Sequence, residues 1–335
     1  MIRKHQGFTL LEIFIALSIG LILIGGVLSV FVGVKTTTIE TSSYGELQEN
    51  GRFAISILTD DLRRQNFWGD FSGVLNTSNL NIIPPSNAAN GCRGEGDNNG
   101  SFPQNIPGSF RTLWANEVTS TYIMNDCIKN AAYDSTKSGK FNSDVIQIKR
   151  AIATPIVEGN INKERFYIRS NLTSASIFAG NITTIPTLIE SRIWEYQHHI
   201  YYVREDATGV SGQVVPVLVQ GRLQNKATRM TFDLLIEGIE RIHFMFGVDT
   251  DGDGVVNGYI SSDKMQDDYW DNLNNISIVA VKLYVLARAL RPDNSYSNNN
   301  VYQMGDKSFD ADGDNYRRLL FSSTVSLHNA RVKSW

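Results

Sequence analysis

Near its start the chain reads Gly7-Phe8-Thr9-Leu10-Leu11-Glu12, and an apolar run from Ile13 to Val34 follows at once. That run is long enough to cross the hydrocarbon core of a bilayer as a helix, which takes about 20 residues. Glu12 is the only charged residue between Phe8 and Val34. Because Arg3 and Lys4 precede it, the positive-inside tendency keeps the N-terminus in the cytoplasm and sends the rest of the chain across the membrane.

Two ordinary explanations of the apolar segment fit less well. A cleaved secretory signal peptide has a shorter apolar core, of roughly 7–15 residues, and a small-residue cleavage site at its far end. A plain single-span anchor does not explain Glu12, because an acid at depth in a bilayer costs on the order of 2–3 kcal/mol. A cut between Gly7 and Phe8 would explain it, since the new amine of Phe8 lies four residues from Glu12 on one helical face. The acid could then pair with that amine or with the amine of a neighbouring helix.

The segment resembles the class III signal of type IV prepilins and type II secretion pseudopilins, in which Gly-Phe-Thr-Leu-Leu-Glu precedes an apolar helix. The resemblance implies cleavage after Gly7 by prepilin peptidase, N-methylation of Phe8, and a role for Glu12 in subunit docking. It also implies a single-pass inner-membrane protein with a cytoplasmic N-terminus and a periplasmic C-terminal domain, which later enters the pilus at the cell surface.

The helix is predicted to continue beyond the membrane as an amphipathic helix. One face carries Leu47, Ala54, Ile55, Leu58 and Leu62, and the charged residues, among them Asp61, lie mostly off that face. Phe67-Trp68-Gly69 marks its expected end. The chain is therefore divided into a leader (1–7), a transmembrane half-helix (8–34), an amphipathic half-helix (35–69) and a periplasmic β-rich domain (70–335).

The domain is predicted to begin with a long irregular insert that contains short ordered pieces, residues 70–139, because Asn, Gly, Ser and Pro interrupt any periodic pattern there. After Asp144, short β-branched and aromatic runs predict an antiparallel sheet or two, with the N-terminal helix laid against one face. Strands are expected at 145–148, 165–168, 199–203, 214–219, 230–236, 239–246, 276–286 and 319–327. The expected fold class is α+β and pilin-like.

The only two cysteines, Cys92 and Cys127, both lie in the insert. In an exported protein an isolated pair is most simply a disulfide, which would stabilise the domain by roughly 3–4 kcal/mol in the chain-entropy model. Two unpaired thiols are the alternative. A zinc site is disfavoured, because no further Cys or His stands at ligand spacing.

A candidate calcium site lies at residues 249–257. Its oxygen ligands follow the first nine positions of an EF-hand-type loop: Asp249, Asp251, Asp253, the backbone carbonyl of Val255, and Asn257. Position twelve is Ile260 instead of a bidentate acid, so a further ligand would come from Asp263, Asp267, Asp268 or elsewhere in the fold. The alternative is a surface hairpin rich in Asx turns without a metal. A shorter run with the same spacing contains Asp310, Asp312 and Asp314.

Neither the histidines nor the known motifs indicate catalysis. His198 and His199 lie in an aromatic strand with opposite-facing side chains, and His243 lies in another strand-like run, so each is interpreted as a structural or exposed histidine. No nucleophile elbow, zinc-protease motif or phosphate-binding glycine loop is present. The formal net charge of −3 argues against nucleic acid as a general partner. An enzyme is not expected.

A narrower resemblance is to PilW-type minor pilins. It rests on residues 47–54, 61–63 and 67–69 in the helix, and on residues 237–240, 246–254, 279–288 and 317–329 in the C-terminal third. It implies a minor pilin that joins other minor and major pilins in a priming or tip complex that initiates pilus assembly, where a tip adhesin is a further partner. The alternatives are a minor pseudopilin of a type II secretion system and a membrane-anchored periplasmic enzyme or adhesin.

Overall fold

The computed structural model describes residues 7–81, 92–106, 108–118, 128, 142–206, 214–226 and 230–331. The chain divides into two compact units, Met1–Glu46 and Leu47–Trp335. Helix α1 (Leu10–Arg63) supplies the first unit and opens the second.

In the first unit, α1 is apolar on every side from Ile13 to Val34. Its large apolar side chains from Leu10 to Val34 are exposed, most of them by more than half of their surface. Among the described residues, α1 is the one helix long and apolar enough to cross a membrane. A helix that is apolar all round is stable only where its surroundings are also apolar, as in a bilayer or a helix bundle.

In the second unit, α1 buries one stripe. Leu47, Ala54, Leu58 and Leu62 are buried and Ile55 is half-buried, which confirms the predicted apolar face. Asp61 is buried as well, although the periodicity placed it among the charged residues mostly off that face.

The larger sheet of this unit has seven strands. They are β1 (Leu113–Glu117), β2 (Asp144–Ile156), β3 (Phe166–Ser170), β4 (Ala175–Ala179), β5 (Arg192–Asp206), β6 (Val215–Leu223) and β7 (Met230–Glu237). The order is β1-β2-β5-β3-β4, and β6 pairs with β5 and β7. All pairings are antiparallel. Strand β5 is long enough to pair with β3 along its first residues and with β6 along its last.

The smaller sheet has four strands in the order β13-β10-β8-β9, also antiparallel. They are β8 (Ile239–Asp249), β9 (Gly258–Ser261), β10 (Ser277–Arg288) and β13 (Arg318–Ser326). A separate hairpin joins β11 (Val301–Met304) to β12 (Lys307–Asp310), and α2 (Asp267–Trp270) is a single short turn of helix. One hydrophobic core contains the α1 stripe and residues of both sheets. The expected α+β class with an antiparallel β-rich domain is therefore confirmed.

One predicted boundary needs correction. Helix α1 ends at Arg63 rather than at residue 69, because Asn66 adopts a positive φ of 58° and donates its backbone N–H to the carbonyl of Lys149, 3.2 Å away. The carbonyl of Phe67 then accepts the N–H of Ala151 at 2.7 Å, so the chain runs beside β2 instead of continuing the helix. Strand β1 lies within the insert 70–139 as one of the short ordered pieces expected there, and it buries Leu113, Trp114 and Ala115.

Gly51 allows α1 and β13 to approach closely. A Cβ atom on Gly51 would lie 2.1 Å from the ring of Phe321, whereas one on Gly45 would meet nothing within 4 Å. We expect Gly51→Ala to destabilise the domain by about 1–3 kcal/mol through overpacking. Gly45→Ala should be neutral or stabilising by about 0.5–1 kcal/mol, because alanine favours the helix. Urea unfolding of both variants checks the pair, and equal effects would contradict this packing.

Candidate functional site

The start of α1 is closed by reciprocal hydrogen bonds between Thr9 and Glu12. The Glu12 carboxylate accepts the backbone N–H and the hydroxyl of Thr9, each at 2.9 Å, and the Glu12 N–H donates to the Thr9 hydroxyl at 3.3 Å. This is a capping box, which satisfies N–H groups that a helix start leaves unpaired. The sequence signal, Thr-x-x-Glu before an apolar run, was present and was not used in the prediction.

The capping box gives Glu12 a structural role in addition to its predicted role in docking. In the uncut chain its carboxylate is held by Thr9, directly after Gly7 and Phe8, and Phe8 is 85% exposed. Cleavage after Gly7 would leave Phe8 as the new terminus, directly before Thr9 and the start of α1. The predicted processing residues and the predicted docking residue therefore lie together, and the cleavage and docking steps remain predictions.

The loop 249–257 connects β8 to β9 and gathers three carboxylates. One oxygen each of Asp249, Asp251 and Asp253 lies within 4.8 Å of the others, and no second such group occurs among the described residues. Asp249 is buried, and the other two acids are exposed. The loop thus has the shape expected of a cation site.

Backbone amides hold Asp249 in place within this loop. Its Oδ1 accepts the N–H of Gly252 and its Oδ2 accepts the N–H of Gly254, each at 2.7 Å. Burial raises the pKa of Asp249, but these N–H donors outweigh burial and the net pKa lies below its ordinary value. The carboxylate is therefore ionised at neutral pH, as a hard-cation ligand must be.

Two of the other predicted ligands, Asn257 and Asp253, accept hydrogen bonds from backbone N–H groups of the loop. The side-chain oxygen of Asn257 accepts the N–H of Thr250 at 2.6 Å, and the N–H of Val255 donates to Asp253 at 2.7 Å. Of the acids considered for the missing twelfth position, Asp263 pairs with Lys307 and Asp267 pairs with Arg111. Asp268, the third of these acids, forms no ion pair with the residues that the structure describes.

The second acidic run has a different geometry. Asp314 binds Arg318 through two hydrogen bonds, one of 2.7 Å and one of 2.5 Å, and Asp310 accepts the backbone N–H of Asp312 at 3.0 Å. Asp314 is thus already balanced by a guanidinium. Its carboxylate is less available to a cation than those of the first loop.

The predicted disulfide is described at one end only. Cys92, in the segment that precedes β1, is fully buried. Cys127 lies outside the described residues, so the pairing stays a prediction.

A buried ionic network joins α1 to the larger sheet. Asp61 bonds the Arg150 guanidinium through one oxygen, and its other oxygen lies 2.7 Å from His199 Nδ1 and 2.8 Å from the Tyr201 hydroxyl. Gln220 donates to that hydroxyl at 2.6 Å. Burial raises the pKa of Asp61, but His199 and Arg150 outweigh it and hold the pKa below its ordinary value. The network is absent from the sequence-based predictions.

A second buried histidine links the smaller sheet to the β11–β12 hairpin. His243 on β8 lies 3.1 Å from Asp144 through Nδ1 and 3.1 Å from Asp306 through Nε2. Asp306 stands in the hairpin turn, where it also accepts bonds from Ser261 and Lys264. His243 is therefore held between two acids and is a satisfied structural histidine, as predicted.

The contacts of His243 with Asp144 and Asp306 predict that the stability of the domain depends on pH. Burial lowers the pKa of His243, but Asp144 and Asp306 outweigh burial and raise the pKa above its ordinary value of about 6.5. The stabilisation is fully present below about pH 6.5 and is lost as the pH rises through the folded-state pKa. Urea unfolding should give a falling free energy of unfolding above neutral pH, and His243→Gln should flatten that fall. His328→Gln, at an exposed position, is the control; an unchanged slope in His243→Gln would refute the linkage.

Comparisons with known families agree with this architecture. Residues 2–28 match the prokaryotic N-terminal methylation motif, and residues 200–329 match Type IV Pilus-assembly protein W. No curated protein and no solved structure matches the chain significantly. The methylation motif, the exposed apolar helix and the antiparallel domain are the features expected of the type IV pilin class. The matched C-terminal residues contain strands β6 to β13, and the two family matches together support a PilW-like type IV pilin.

Proposed function

We propose that this protein is a minor pilin that acts in the priming or tip complex from which a type IV pilus begins to assemble. The observation that carries the proposal is the junction of a methylation-motif helix, with every large apolar side chain of its first part exposed, to a PilW-like domain. Pilin domains of this kind are structural rather than enzymatic.

The proposed role assigns a task to each part of the chain. Prepilin peptidase removes residues 1–7, and α1 then holds the protein in the inner membrane with its domain in the periplasm. Extraction into the pilus replaces lipid around α1 by the helices of other minor and major pilins, so its apolar surface stays covered throughout. Residues 70–199, which no family model matches, are free to contact partners of its own pilus, including a tip adhesin.

Deletion of the gene and complementation test this role. We expect loss of most surface pili in the deletion strain, restoration by the full chain, and co-purification of the tagged protein with other minor pilins. Normal piliation with impaired protein secretion would instead support a type II secretion pseudopilin. Normal piliation and secretion with lost surface attachment would support an anchored adhesin.

Processing is tested directly on the mature protein. N-terminal sequencing should begin at N-methyl-Phe8, because the proposed cleavage lies between Gly7 and Phe8 and leaves Phe8 as the methylated terminus. Mature protein that retains Met1 would contradict both processing and the class of the proposed function.

We also propose that the loop 249–257 binds Ca²⁺ through Asp249, Asp251 and Asp253, with the carbonyl of Val255 and the side chain of Asn257 completing part of the shell. Calcium at 100 times its dissociation constant should stabilise the domain by about 2.7 kcal/mol. Asp251→Asn should abolish that gain in a thermal unfolding assay, whereas Asp312→Asn in the second acidic run should leave it intact. A melting temperature indifferent to both calcium and EDTA would show that the loop is only a turn.

We also propose that Cys92 and Cys127, the only two cysteines of the sequence, form a disulfide. Mass spectrometry of peptides from unreduced protein should contain the linked pair. Free, alkylatable thiols at both positions would contradict it.

A further inference from the structure

A buried polar cluster lies between residues 92–106 and strands β2 and β5, and it belongs to none of the sites described above. It consists of Asn99, Ser101, Gln147, Lys149 and His198, and none of these residues is more than 2% exposed. Ser101 and Asn99 come from the segment before β1, and the other three come from β2 and β5. Two polar atoms of the cluster, Gln147 Oε1 and His198 Nε2, have no hydrogen-bond partner among the described residues.

Lys149 is the unusual member, because its side-chain amine is fully buried. Its Nζ donates to Asn99 Oδ1 at 3.0 Å and to the carbonyl of Arg111 at 2.6 Å, and it lies 4.6 Å from the ring centre of Phe110. No carboxylate among the described residues contacts it. Burial, with the Arg111 cation nearby, holds the pKa of Lys149 well below its ordinary value. A neutral lysine amine is a nucleophile.

The Asn99 carboxamide is held and polarised beside this amine. Its Oδ1 accepts a second hydrogen bond, from Gln147 Nε2 at 2.9 Å, and its Nδ2 donates to the carbonyl of Glu95 at 2.8 Å. Donors aimed at a carbonyl oxygen stabilise the negative charge that develops there when a nucleophile adds to the carbon. Burial fixes both groups in one orientation, which raises their effective concentration.

We propose that Lys149 and Asn99 join in an intramolecular isopeptide bond. The Nζ lone pair forms a bond to Asn99 Cγ, and the carbonyl electron pair moves onto Oδ1, which Gln147 stabilises. When the C=O bond reforms, the Cγ–Nδ2 bond breaks, and Nδ2 takes a proton from Nζ and leaves as ammonia. No atom changes oxidation state, and no cofactor is needed.

The bond would replace a costly buried amine by a neutral amide. It would also tie the segment before β1 to β2 across 50 positions of the chain. A covalent tie of this kind constrains the unfolded chain as a disulfide does, and it withstands reducing conditions. The inference does not depend on the proposed role in pilus assembly.

Mass spectrometry of the purified full chain tests the proposal. After allowance for leader removal, N-methylation and cysteine oxidation, the intact protein should be lighter than its sequence by one ammonia. A tryptic digest should contain a branched peptide that joins the Asn99 segment to the Lys149 segment, uncleaved after Lys149. Intact mass without this loss overturns the proposal, whatever the variants do.

Two variants and one side reaction complete the test. Lys149→Met should abolish the loss, and the matched Asn98→Ala variant, which removes the neighbouring buried asparagine, should retain it. Asn99 precedes Gly100, so it could also lose ammonia by closing onto its own backbone. That reaction would leave the Asn99 and Lys149 segments as two separate linear peptides, and the loss of ammonia would persist in Lys149→Met. Either observation would overturn the proposed isopeptide bond.

Discussion

Replacing Asp61 by alanine is expected to lower the free energy of unfolding of the domain by about 3–5 kcal/mol. The residue is 3% exposed and balances the buried Arg150, while it also bonds His199 and Tyr201. Its removal would leave a guanidinium in the interior without a counter-charge, and this costs more than losing the attraction of an exposed pair.

The chain contains a matched control for this substitution at the preceding position. Asp60 pairs with Arg64 on the solvent side of the helix, where the two side chains are 55% and 49% exposed. Asp60→Ala should therefore cost only about 0.3–0.5 kcal/mol. Urea unfolding followed by the fluorescence of buried Trp68 and Trp114 measures both variants. Similar losses would show that the buried network does not anchor the helix.

The second large effect is expected for Glu12→Ala, which should leave membrane insertion unchanged and reduce incorporation into pili. If docking uses the acid to pair with a neighbouring amine, loss of about 1.4 kcal/mol of coupling would reduce incorporation roughly tenfold. Immunoblots of sheared pili against membrane fractions measure the ratio.

The capping box supplies the control that separates two roles of Glu12. Thr9→Ala removes the hydroxyl partner of the carboxylate and costs the helix start about 1 kcal/mol, but it keeps the acid. If docking is the role of Glu12, Thr9→Ala should assemble almost normally. An equal defect in the two variants would assign Glu12 to helix capping instead, and normal piliation in Glu12→Ala would remove both explanations.

The sequence predicts the strands with continuous β-branched or aromatic runs, because such runs fit only a buried pleated surface. Strands β1, β4, β9, β11 and β12, each of four or five residues, were not predicted. Their pairing depends on strand neighbours, which local pattern does not encode.

The buried ionic network around Asp61 could not be predicted either, because it also depends on residues that are distant in the sequence. Helical periodicity treats a charged residue as solvent-facing, and that holds for Asp60 but not for Asp61. The partners that permit burial of Asp61 stand 89 and 138 positions away, at Arg150 and His199. In contrast, the acidic loop could be found because its carboxylates are close in the sequence itself.

Strand β5 limits how pieces of this protein can be exchanged with those of its relatives. The PilW match begins at residue 200, inside a strand that runs from Arg192 to Asp206. A fragment cut at that point would split the strand that pairs with β2, β3 and β6, and would expose the edges of all three. Chimeras between this protein and PilW proteins should therefore be joined within residues 180–191, before β5 begins, so that the whole strand is inherited from a single parent.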